Sequence, residues 1–575
     1  MKKLTALFGF AGALCIAQPV TNQKISTEFT KPGKADHVRV IIQWKQTPST
    51  LTDSKVIRMG GKVHGRLHSI HAGVYTVSGD QAQQLAADPD VVFISPDRTV
   101  HAKLDNSAGA VIASAAWGSG FVGTGVGVAV IDSGINADAN LQDGTGASRI
   151  VYSQDFTNTD PTASDAFGHG QHVAGIIGSN GISSSCSQCT RLFKGIAPGV
   201  NLLDLKVLDA NGEGTDSAVI AAIEQAIALK DQYNVRVINL SLGRPVYESY
   251  TDDPLCQAVE AAWNAGIVVV AAAGNDGRDN SFGTQGYGTI EAPGNDPTVI
   301  TVGAMRSMGT PDRTDDLVAS YSSKGPSQVD HILKPDLMAP GNLVVSLLSA
   351  GSSLQMQYPG NSVQYSYFES GLSSLQAHRY SKNFYTLSGS SMAAAVASGA
   401  AADLIHANPA LTPDQVKLLL MATAYKTFPT TSVAMDPVTG TSYTSYYDAF
   451  TVGAGYLDLS AAMAQVNSVP SGFTTTSPTT VYDPNTGAVS AIWGQSSIWG
   501  QSAIWGQSAI WGQSAIWGQS AIWGQNTIWG QSAIWGQSAI WGQNTIWGQS
   551  AIWGQNTIWG QNGGSDSNVL INGDK

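Results

Sequence analysis

Between residues 105 and 467, short apolar runs alternate with amphipathic stretches of helical period. The apolar runs are continuous, which is typical of strands covered on both faces. They predict strands at Gly127–Ile131, Asn201–Leu208, Val235–Leu240, Ile267–Ala272 and Val299–Val302. The amphipathic stretches predict helices near Gln171–Gly178, Asp216–Asp231 and Leu255–Ala265. This order predicts an α/β domain over residues 105–467, with a mostly parallel sheet and helices on both faces.

A different pattern precedes this domain. Residues 36–102 contain predicted strands at Val38–Trp44 and Val91–Ile94 and a short predicted helix at Gln81–Ala87. Two strands and a helix in such a short span indicate a small α+β domain.

The first 17 residues have the pattern of a secretory signal peptide. Two lysines at positions 2 and 3 precede an apolar run from Leu4 to Ile16, and Ala17 offers a cleavage site. This pattern predicts a secreted, extracellular protein, with association with the cell surface as a further option. A membrane anchor is the alternative, although the run is short for a helix that spans a bilayer.

The C-terminal region is a hexapeptide repeat. A predicted linker over residues 468–489, rich in Ser, Thr and Pro, leads into residues 490–562, where Ile-Trp-Gly-Gln recurs twelve times without a charged residue. In an extended chain an even period places every Trp on one face and every Ile on the other, and glycine at every sixth position opposes a helix. We expect a β-solenoid or stacked strands, with a disordered tail as the alternative. Residues 563–575 are predicted to be a polar tail.

Composition narrows the function classes. Only 13% of the 575 residues are charged, the net charge is −12, and no basic block is present, so nucleic acid is not an expected partner.

Loss of the signal peptide removes Cys15 and leaves three cysteines, enough for at most one intramolecular disulfide. Cys186 and Cys189 have metal-ligand spacing without a second pair, so a local disulfide or free thiols are favoured over zinc. Cys256 lies in a predicted helix as a buried thiol.

Three separated stretches carry candidate chemistry. Asp132 ends a predicted strand, His169 lies between two glycines, and Ser391 lies in Gly389-Ser-Ser-Met-Ala393. A serine hydroxyl becomes a strong nucleophile only beside a base, and that base needs a partner that fixes its tautomer. The three residue types therefore indicate a serine hydrolase that requires no cofactor for its chemistry.

The order Asp, His, Ser and the flanking residues resemble those of the subtilases, the subtilisin-like serine proteases. The resemblance covers residues 36–467, and it implies a secreted endopeptidase that acts on polypeptides through an acyl-enzyme. It also implies that Asn275 and the backbone N–H of Ser391 stabilise the oxyanion. In this family, two short segments flank an extended substrate, and the matching residues here are Gly212, Gly214, Ser241, Leu242 and Gly243. Glu213 then either favours basic side chains at a nearby subsite or is a solvated loop carboxylate.

Further features of the resemblance concern processing and metal binding. Leu85–Asp97 resembles part of the subtilase propeptide, so residues 36–102 are expected to inhibit the enzyme until they are removed; a subdomain that stays attached is the alternative. Many subtilases bind calcium in the loop that corresponds to Asn180–Lys194. Here that loop holds the cysteine pair, so structural calcium remains open and its ligands unassigned.

Three positions depart from the family pattern, namely Gln171, Ser390 and Ala395. None is a reacting group, so we expect them to tune activity without abolishing it.

An insertion over Ser349–Tyr385 either shapes the cleft or acts as a lid, or it packs as a surface flap. A rival function is that of a surface adhesion or scaffold protein, in which the Trp repeat binds cell-surface glycan or self-associates and the protease domain is secondary.

Overall fold

The computed structural model divides into two compact units, a small unit spanning Met1–His101 and a large unit spanning Ala102–Lys575. The structure describes residues 24–25, 37–67, 71–96, 103–104, 106–157, 162–281, 284–470, 472, 474–483, 488–492 and 565–574. The predicted signal peptide and nearly all of the hexapeptide repeat lie outside the described residues, so both remain predictions. No helix among the described residues is long and apolar enough to cross a bilayer.

The small unit is an antiparallel four-stranded sheet with two helices. Its strands are β1 (His37–Trp44), β2 (Lys62–Leu67), β3 (Ala72–Ser78) and β4 (Val91–Pro96), and its helices are α1 (Thr50–Arg58) and α2 (Gly79–Ala86). The strand order is β2-β3-β1-β4. Val40, Tyr75 and Ile94 lie in a buried core that belongs to this unit alone. The predicted α+β pattern is confirmed, and the structure adds β2, β3 and α1.

The large unit contains seventeen described strands. They are β5 (Lys103–Leu104), β6 (Gly127–Asp132), β7 (Ile150–Asp155), β8 (Arg191–Leu192), β9 (Asn201–Lys206), β10 (Val235–Leu240), β11 (Val268–Ala272), β12 (Ile300–Arg306), β13 (Leu317–Val318), β14 (Leu337–Pro340), β15 (Val344–Leu347), β16 (Ser362–Gln364), β17 (Tyr380–Leu387), β18 (Thr431–Met435), β19 (Ser442–Tyr446), β20 (Thr479–Asp483) and β21 (Ala488–Ile492).

Fourteen α-helices lie in the described part of this unit. They are α3 (Asn106–Ala110), α4 (Ala113–Gly118), α5 (Gly170–Gly178), α6 (Asp216–Ala228), α7 (Lys230–Tyr233), α8 (Pro254–Asn264), α9 (Ser353–Gln357), α10 (Tyr365–Phe368), α11 (Ser374–Ala377), α12 (Ser390–Ala407), α13 (Pro413–Thr423), α14 (Ala449–Val452), α15 (Leu459–Gln465) and α16 (Ser565–Asn572).

An eight-stranded sheet forms the centre of the large unit. Its order is β13-β12-β11-β10-β6-β9-β7, with β14 also paired to β12, and only β13 runs antiparallel. Two packed helix pairs, α5 with α12 and α6 with α8, contact this sheet. The predicted mostly parallel α/β architecture is therefore confirmed. Because Leu240 of β10 pairs with Ile131 of β6 and with Ala271 of β11, the carboxyl ends of these three strands lie side by side.

Two C-terminal segments differ from the sequence-based expectation. A hairpin of β20 and β21 begins in the predicted linker and ends at Ile492, within the predicted repeat. Thr480 donates its N–H to the carbonyl of His331 at 2.8 Å. The predicted polar tail contains α16, with Val569 and Ile571 buried. Local composition did not reveal either, because the surfaces that cover these segments come from distant parts of the sequence.

Candidate active site

A buried aspartate and histidine pair at the carboxyl end of β6. Asp132 is the last residue of that strand and is 1% exposed, and His169 directly precedes α5 and is 5% exposed. The Nδ1–H of His169 donates to Oδ1 of Asp132 at 2.7 Å, since a carboxylate can only accept. Burial lowers the pKa of His169, but the charge and hydrogen bond of Asp132 outweigh burial and raise that pKa above its ordinary value.

Asp165 fixes the turn that carries His169, and sequence reasoning missed it. Its carboxylate accepts hydrogen bonds from the N–H of Gly168 at 2.7 Å, the N–H of Gln171 at 2.8 Å and the hydroxyl of Ser133 at 2.8 Å. Burial raises the pKa of Asp165 to about 6, and these three hydrogen bonds oppose that rise. The Asp165 carboxylate therefore connects Gly168 and Gln171, on either side of His169, to Ser133, which directly follows Asp132.

Glycine is required where the histidine turn meets the end of β6. A Cβ atom built on Gly170 would lie 2.3 Å from the carbonyl oxygen of Gly134, which is closer than real Cβ contacts come. Gly168 has φ +108°, a conformation that residues with a side chain rarely adopt. These two glycines allow His169 to approach the strand end.

His172 lies in α5 and does not share the environment of His169. It is fully buried, and its Nε2 lies within hydrogen-bonding distance of the carbonyls of Val344 and Tyr385, at 3.1 and 3.2 Å. Burial, together with the charge of His169, lowers its pKa to about 3. His172 is therefore a neutral core residue.

Ser391 lies in the first turn of α12, with 8% of its surface exposed. Its hydroxyl donates to the carbonyl of Ser241 at 3.0 Å, and the hydroxyl of Ser241 donates to the carbonyl of Ser391 at 2.8 Å. Ser241 directly follows β10, the neighbour of β6. The serine thus lies at the same sheet edge as Asp132, although the described residues show no hydrogen bond between Ser391 and His169. Such contacts are often long before substrate binds.

Asn275 follows β11 and is oriented by Ser390. Its side-chain oxygen accepts hydrogen bonds from the N–H of Ser390 at 2.9 Å and from the hydroxyl of Ser390 at 3.2 Å. The N–H of Gly274 donates to the same hydroxyl at 3.1 Å. Because its oxygen is held in this way, the amide NH2 of Asn275 points away from Ser390. Ser390 was predicted only as a tolerated departure from the family pattern, and the structure gives it a positioning contact.

The two predicted substrate-flanking segments both present exposed backbone. Gly243 is exposed beside half-buried Leu242, and Glu213 and Gly214 are exposed along an open cleft of about 660 Å³. Gly212 has φ +79°, and a Cβ atom there would lie 2.7 Å from the ring of Phe167, two residues before His169. The exposure of Glu213 fits the solvated-loop interpretation.

A further carboxylate, that of Glu291, lies beside the predicted substrate segment at Gly243. A Cβ atom on Gly243 would be 2.4 Å from Oε2 of Glu291, and a Cβ atom on Gly274 would be 2.8 Å from its Cγ. The N–H of Glu291 also donates to the carbonyl of Ala273 at 3.1 Å. The Glu291 side chain therefore lies between a predicted substrate segment and the segment that leads to Asn275.

The Ser349–Tyr385 insertion packs against the histidine segment. The N–H groups of Ser353 and Leu354 donate to the carbonyls of Ala166 and Phe167 at 2.9 and 3.0 Å. Phe368 is buried in the main core, and its carbonyl accepts from the N–H of Thr190 at 2.7 Å. Of the two alternatives, the structure shows a packed flap.

Structural calcium in the loop after α5 stays a prediction without assigned ligands. Cys186 and Cys189 form a disulfide in this loop, and their sulfurs lie near Glu369. The guanidinium of Arg149, 5% exposed, donates to the carbonyls of Gln142, Asn140, Gly178 and Val200. A side-chain cation therefore already occupies the carbonyl cluster at the base of this loop. Cys256 is a buried free thiol, as predicted.

The fold and the site together define a class of protein, the serine-type endopeptidases. The chain belongs to the Subtilase family, whose profile matches residues 123–455. Serine protease AprX of Bacillus subtilis (strain 168) is 38% identical over 335 residues, which cover 56% of this chain and 67% of the relative. Subtilisin E of the same organism is 33% identical over 362 residues, covering 61% and 83%. Alkaline serine exoprotease A of Vibrio alginolyticus is 28% identical over 418 residues, covering 68% and 64%.

Proposed function

We propose that Ser391 is the nucleophile of this protease, His169 its general base and Asp132 the residue that orients the base. The observation that carries this assignment is the buried 2.7 Å contact between His169 Nδ1 and Asp132 Oδ1. With Nδ1–H committed to Asp132, Nε2 is the nitrogen that accepts the proton of Ser391 as its oxygen attacks the substrate carbonyl.

The raised pKa of His169 favours the imidazolium that this proton transfer creates. The imidazolium then gives its proton to the leaving amine, so that the peptide bond breaks and an acyl-enzyme forms on Ser391. Water repeats the sequence, with His169 again taking the proton, and releases the acid product. The reaction uses groups of the protein and water, and it requires no cofactor.

The oxyanion of the tetrahedral intermediate is assigned to the side-chain NH2 of Asn275 and the backbone N–H of Ser391. In support, Ser390 holds the Asn275 oxygen and turns the amide nitrogen to the other side. The N–H of Ser391 lies in the first turn of the 18-residue α12, where N–H groups face outward and the helix dipole favours negative charge.

The substrates are polypeptides bound as an added strand. Ser241, Leu242 and Gly243 form one flanking segment, and Gly212 and Gly214 belong to the other. Main-chain hydrogen bonds to such segments tolerate many sequences, which suits an endopeptidase.

The small unit is proposed to be an inhibitory propeptide of a secreted precursor. In support, it has a hydrophobic core of its own and follows a signal-like N-terminus. A domain with its own core can fold before the protease and be removed as a unit.

Expression of the full-length Ser391→Ala variant tests both proposals. We expect the precursor to keep residues 36–102 and to lack caseinolysis, whereas Ser374→Ala, which changes an exposed serine, is processed normally. Mass spectra of the secreted products fix the cleavage positions. Normal processing and caseinolysis in Ser391→Ala would overturn the nucleophile assignment, and persistence of the small unit in the active wild-type enzyme would overturn the propeptide assignment.

A further inference from the structure

The last described residues of the chain are bound to the surface of the large unit. Val569, Ile571, Gly573 and Asp574 are all buried. The carbonyl of Leu570 accepts a hydrogen bond from the N–H of Ser388 at 2.8 Å, and the carbonyl of Ile571 accepts from the side-chain amide of Asn361 at 2.7 Å. The segment is therefore held by its backbone as well as by its apolar side chains.

Asp574 ends the segment in a polar site built for a carboxylate. Its side chain is fully buried, and one oxygen accepts from the guanidinium of Arg278 at 2.7 Å and from the hydroxyl of Ser320 at 2.6 Å. The other oxygen accepts from the N–H of Ser320 at 2.6 Å. A buried carboxylate is stable only with such partners, and charge-assisted hydrogen bonds are the strongest that proteins make.

The site also selects the residue before Asp574. Gly573 has φ +58°, and a Cβ atom there would lie 2.4 Å from both Asn342 Oδ1 and Ser388 Oγ. The amide of Asn342 accepts from the N–H of Asp574 at 2.7 Å and donates to its carbonyl at 3.1 Å. The site therefore recognises a glycine followed by an aspartate, through shape and paired hydrogen bonds.

The same contacts connect the two segments that carry the proposed oxyanion groups. Arg278 lies three residues after Asn275, in the loop that follows β11. Ser388 lies two residues before Ser390, in the segment that leads into α12. Arg278 contacts Asp574 while Ser388 contacts Leu570, so the bound tail bridges both segments.

We propose that residues Val569–Asp574 are an intramolecular peptide ligand that fills this site and holds the Asn275 and Ser391 segments in their active arrangement. The proposal rests on the catalytic roles given above. Its consequence is that the repeat, covalently joined to the large unit through β21 and through α16, has no free end. If the repeat were cut once, the tail would no longer be covalently linked to β21, but it would stay bound to the large unit through its own contacts.

Kinetics of full-length variants test the positioning effect. Asp574→Asn removes the charge, Gly573→Ala introduces the Cβ clash, and Asp231→Asn, at an exposed aspartate, is the matched control. We expect kcat to fall in the first two while KM changes less than about twofold, because the proposed effect is on transition-state stabilisation. The control should match wild type. Wild-type kcat in both site variants would overturn the proposal.

A synthetic peptide of residues 565–575 tests the site directly. Added to full-length Asp574→Asn, it should bind saturably and restore kcat, whereas a peptide with Asn at position 574 should bind about 10- to 100-fold more weakly. Binding without recovery of kcat would overturn the positioning role. A dimer whose assembly requires Asp574 would overturn the intramolecular assignment.

Two measurements do not depend on the catalytic assignment. Calorimetry on the full-length Ser391→Ala, Asp574→Asn variant reports peptide binding without hydrolysis, so absence of binding there refutes the site whatever the role of Ser391. Hydrogen exchange on the wild-type chain needs no substitution, and it should show protected N–H groups at Ser388, Ser320 and Asp574. Rapid exchange at Asp574 would contradict a bound tail.

Discussion

The side-chain oxygen of Asn275 accepts two hydrogen bonds from Ser390, one from its N–H at 2.9 Å and one from its hydroxyl at 3.2 Å. An amide held by its oxygen presents its NH2 group in a fixed direction. The geometry therefore links the residue before the proposed nucleophile to the proposed oxyanion donor. The contribution of the Asn275 donor to kcat can therefore be measured separately from the contribution of its orientation by Ser390.

Substitution of these two residues should therefore have graded effects. Asn275→Ala should lower kcat by about a hundred- to a thousandfold, a magnitude established on a subtilisin and applied here by analogy. Ser390→Ala removes the hydroxyl's hydrogen bond to Asn275 and the one it accepts from Gly274, and it should lower kcat by about two- to tenfold with little change in KM. Ser390→Thr keeps the hydroxyl and should stay near wild type. Equal kcat values in wild type and Ser390→Ala would show that the hydroxyl does not orient the amide.

The pH dependence of kcat/KM should report the Asp132–His169 pair. His169 acts as a base only when neutral, and its raised pKa means that activity falls as pH drops through a value above that of an ordinary histidine. Asp132→Asn removes the charge that raises this pKa and fixes the tautomer, so the profile should shift to lower pH and kcat should fall by about ten thousandfold. Rate profiles with a neutral chromogenic peptide measure both effects.

The matched control for this experiment is His378→Gln, which changes an exposed histidine. It should leave the pH profile in place. An unshifted profile in Asp132→Asn would mean that another group sets the acid limb.

Glu291 should favour a basic substrate side chain at the position that lies beside Gly243. Glu291→Gln removes its charge, and kcat/KM for substrates with Lys or Arg at that position should fall about 10- to 100-fold. Substrates with Leu there should change little. Glu213→Gln, which alters an exposed carboxylate, is the control. A larger effect in the control, or an unchanged ratio of Lys to Leu substrates, would contradict this role for Glu291.

Arg149 should stabilise the loop after α5, because its guanidinium donates hydrogen bonds to backbone carbonyls at the base of that loop. Arg149→Met removes the donor from the carbonyls of Gly178 and Val200, whereas those of Asn140 and Gln142 keep hydrogen bonds from Asn180. At about 1–3 kcal/mol for each carbonyl that loses its donor, the free energy of unfolding should fall by at least about 2 kcal/mol. Denaturant titrations in the Ser391→Ala background avoid self-digestion. Arg379→Met, at an exposed arginine, is the control, and wild-type stability in Arg149→Met would contradict the assignment.

The sequence predicted those parts of the site whose signal is local. Asp132, His169 and Ser391 each lie among small residues in a short motif, and the apolar runs between them predicted the central sheet. Confirmed strands such as β11 are continuous apolar runs, which the hydropathy pattern alone identifies.

The parts that sequence missed depend on contacts between distant segments. Glu291 lies beside Gly243 and Gly274 only because β10, β11 and β12 are neighbours in the folded sheet. Arg149 lies among carbonyls from four separate positions in the sequence. Asp574 is one aspartate in a tail of polar composition, and nothing near it in the sequence indicates Arg278. Such residues are identified only by the packing of the folded chain.

The central claim is that Ser391 is the nucleophile, and covalent labelling tests it most directly. The active enzyme should take up one fluorophosphonate group, located on Ser391 by peptide mass mapping, and the Ser391→Ala protein should take up none. Labelling of a different serine, or equal labelling of Ser391→Ala, would contradict the account.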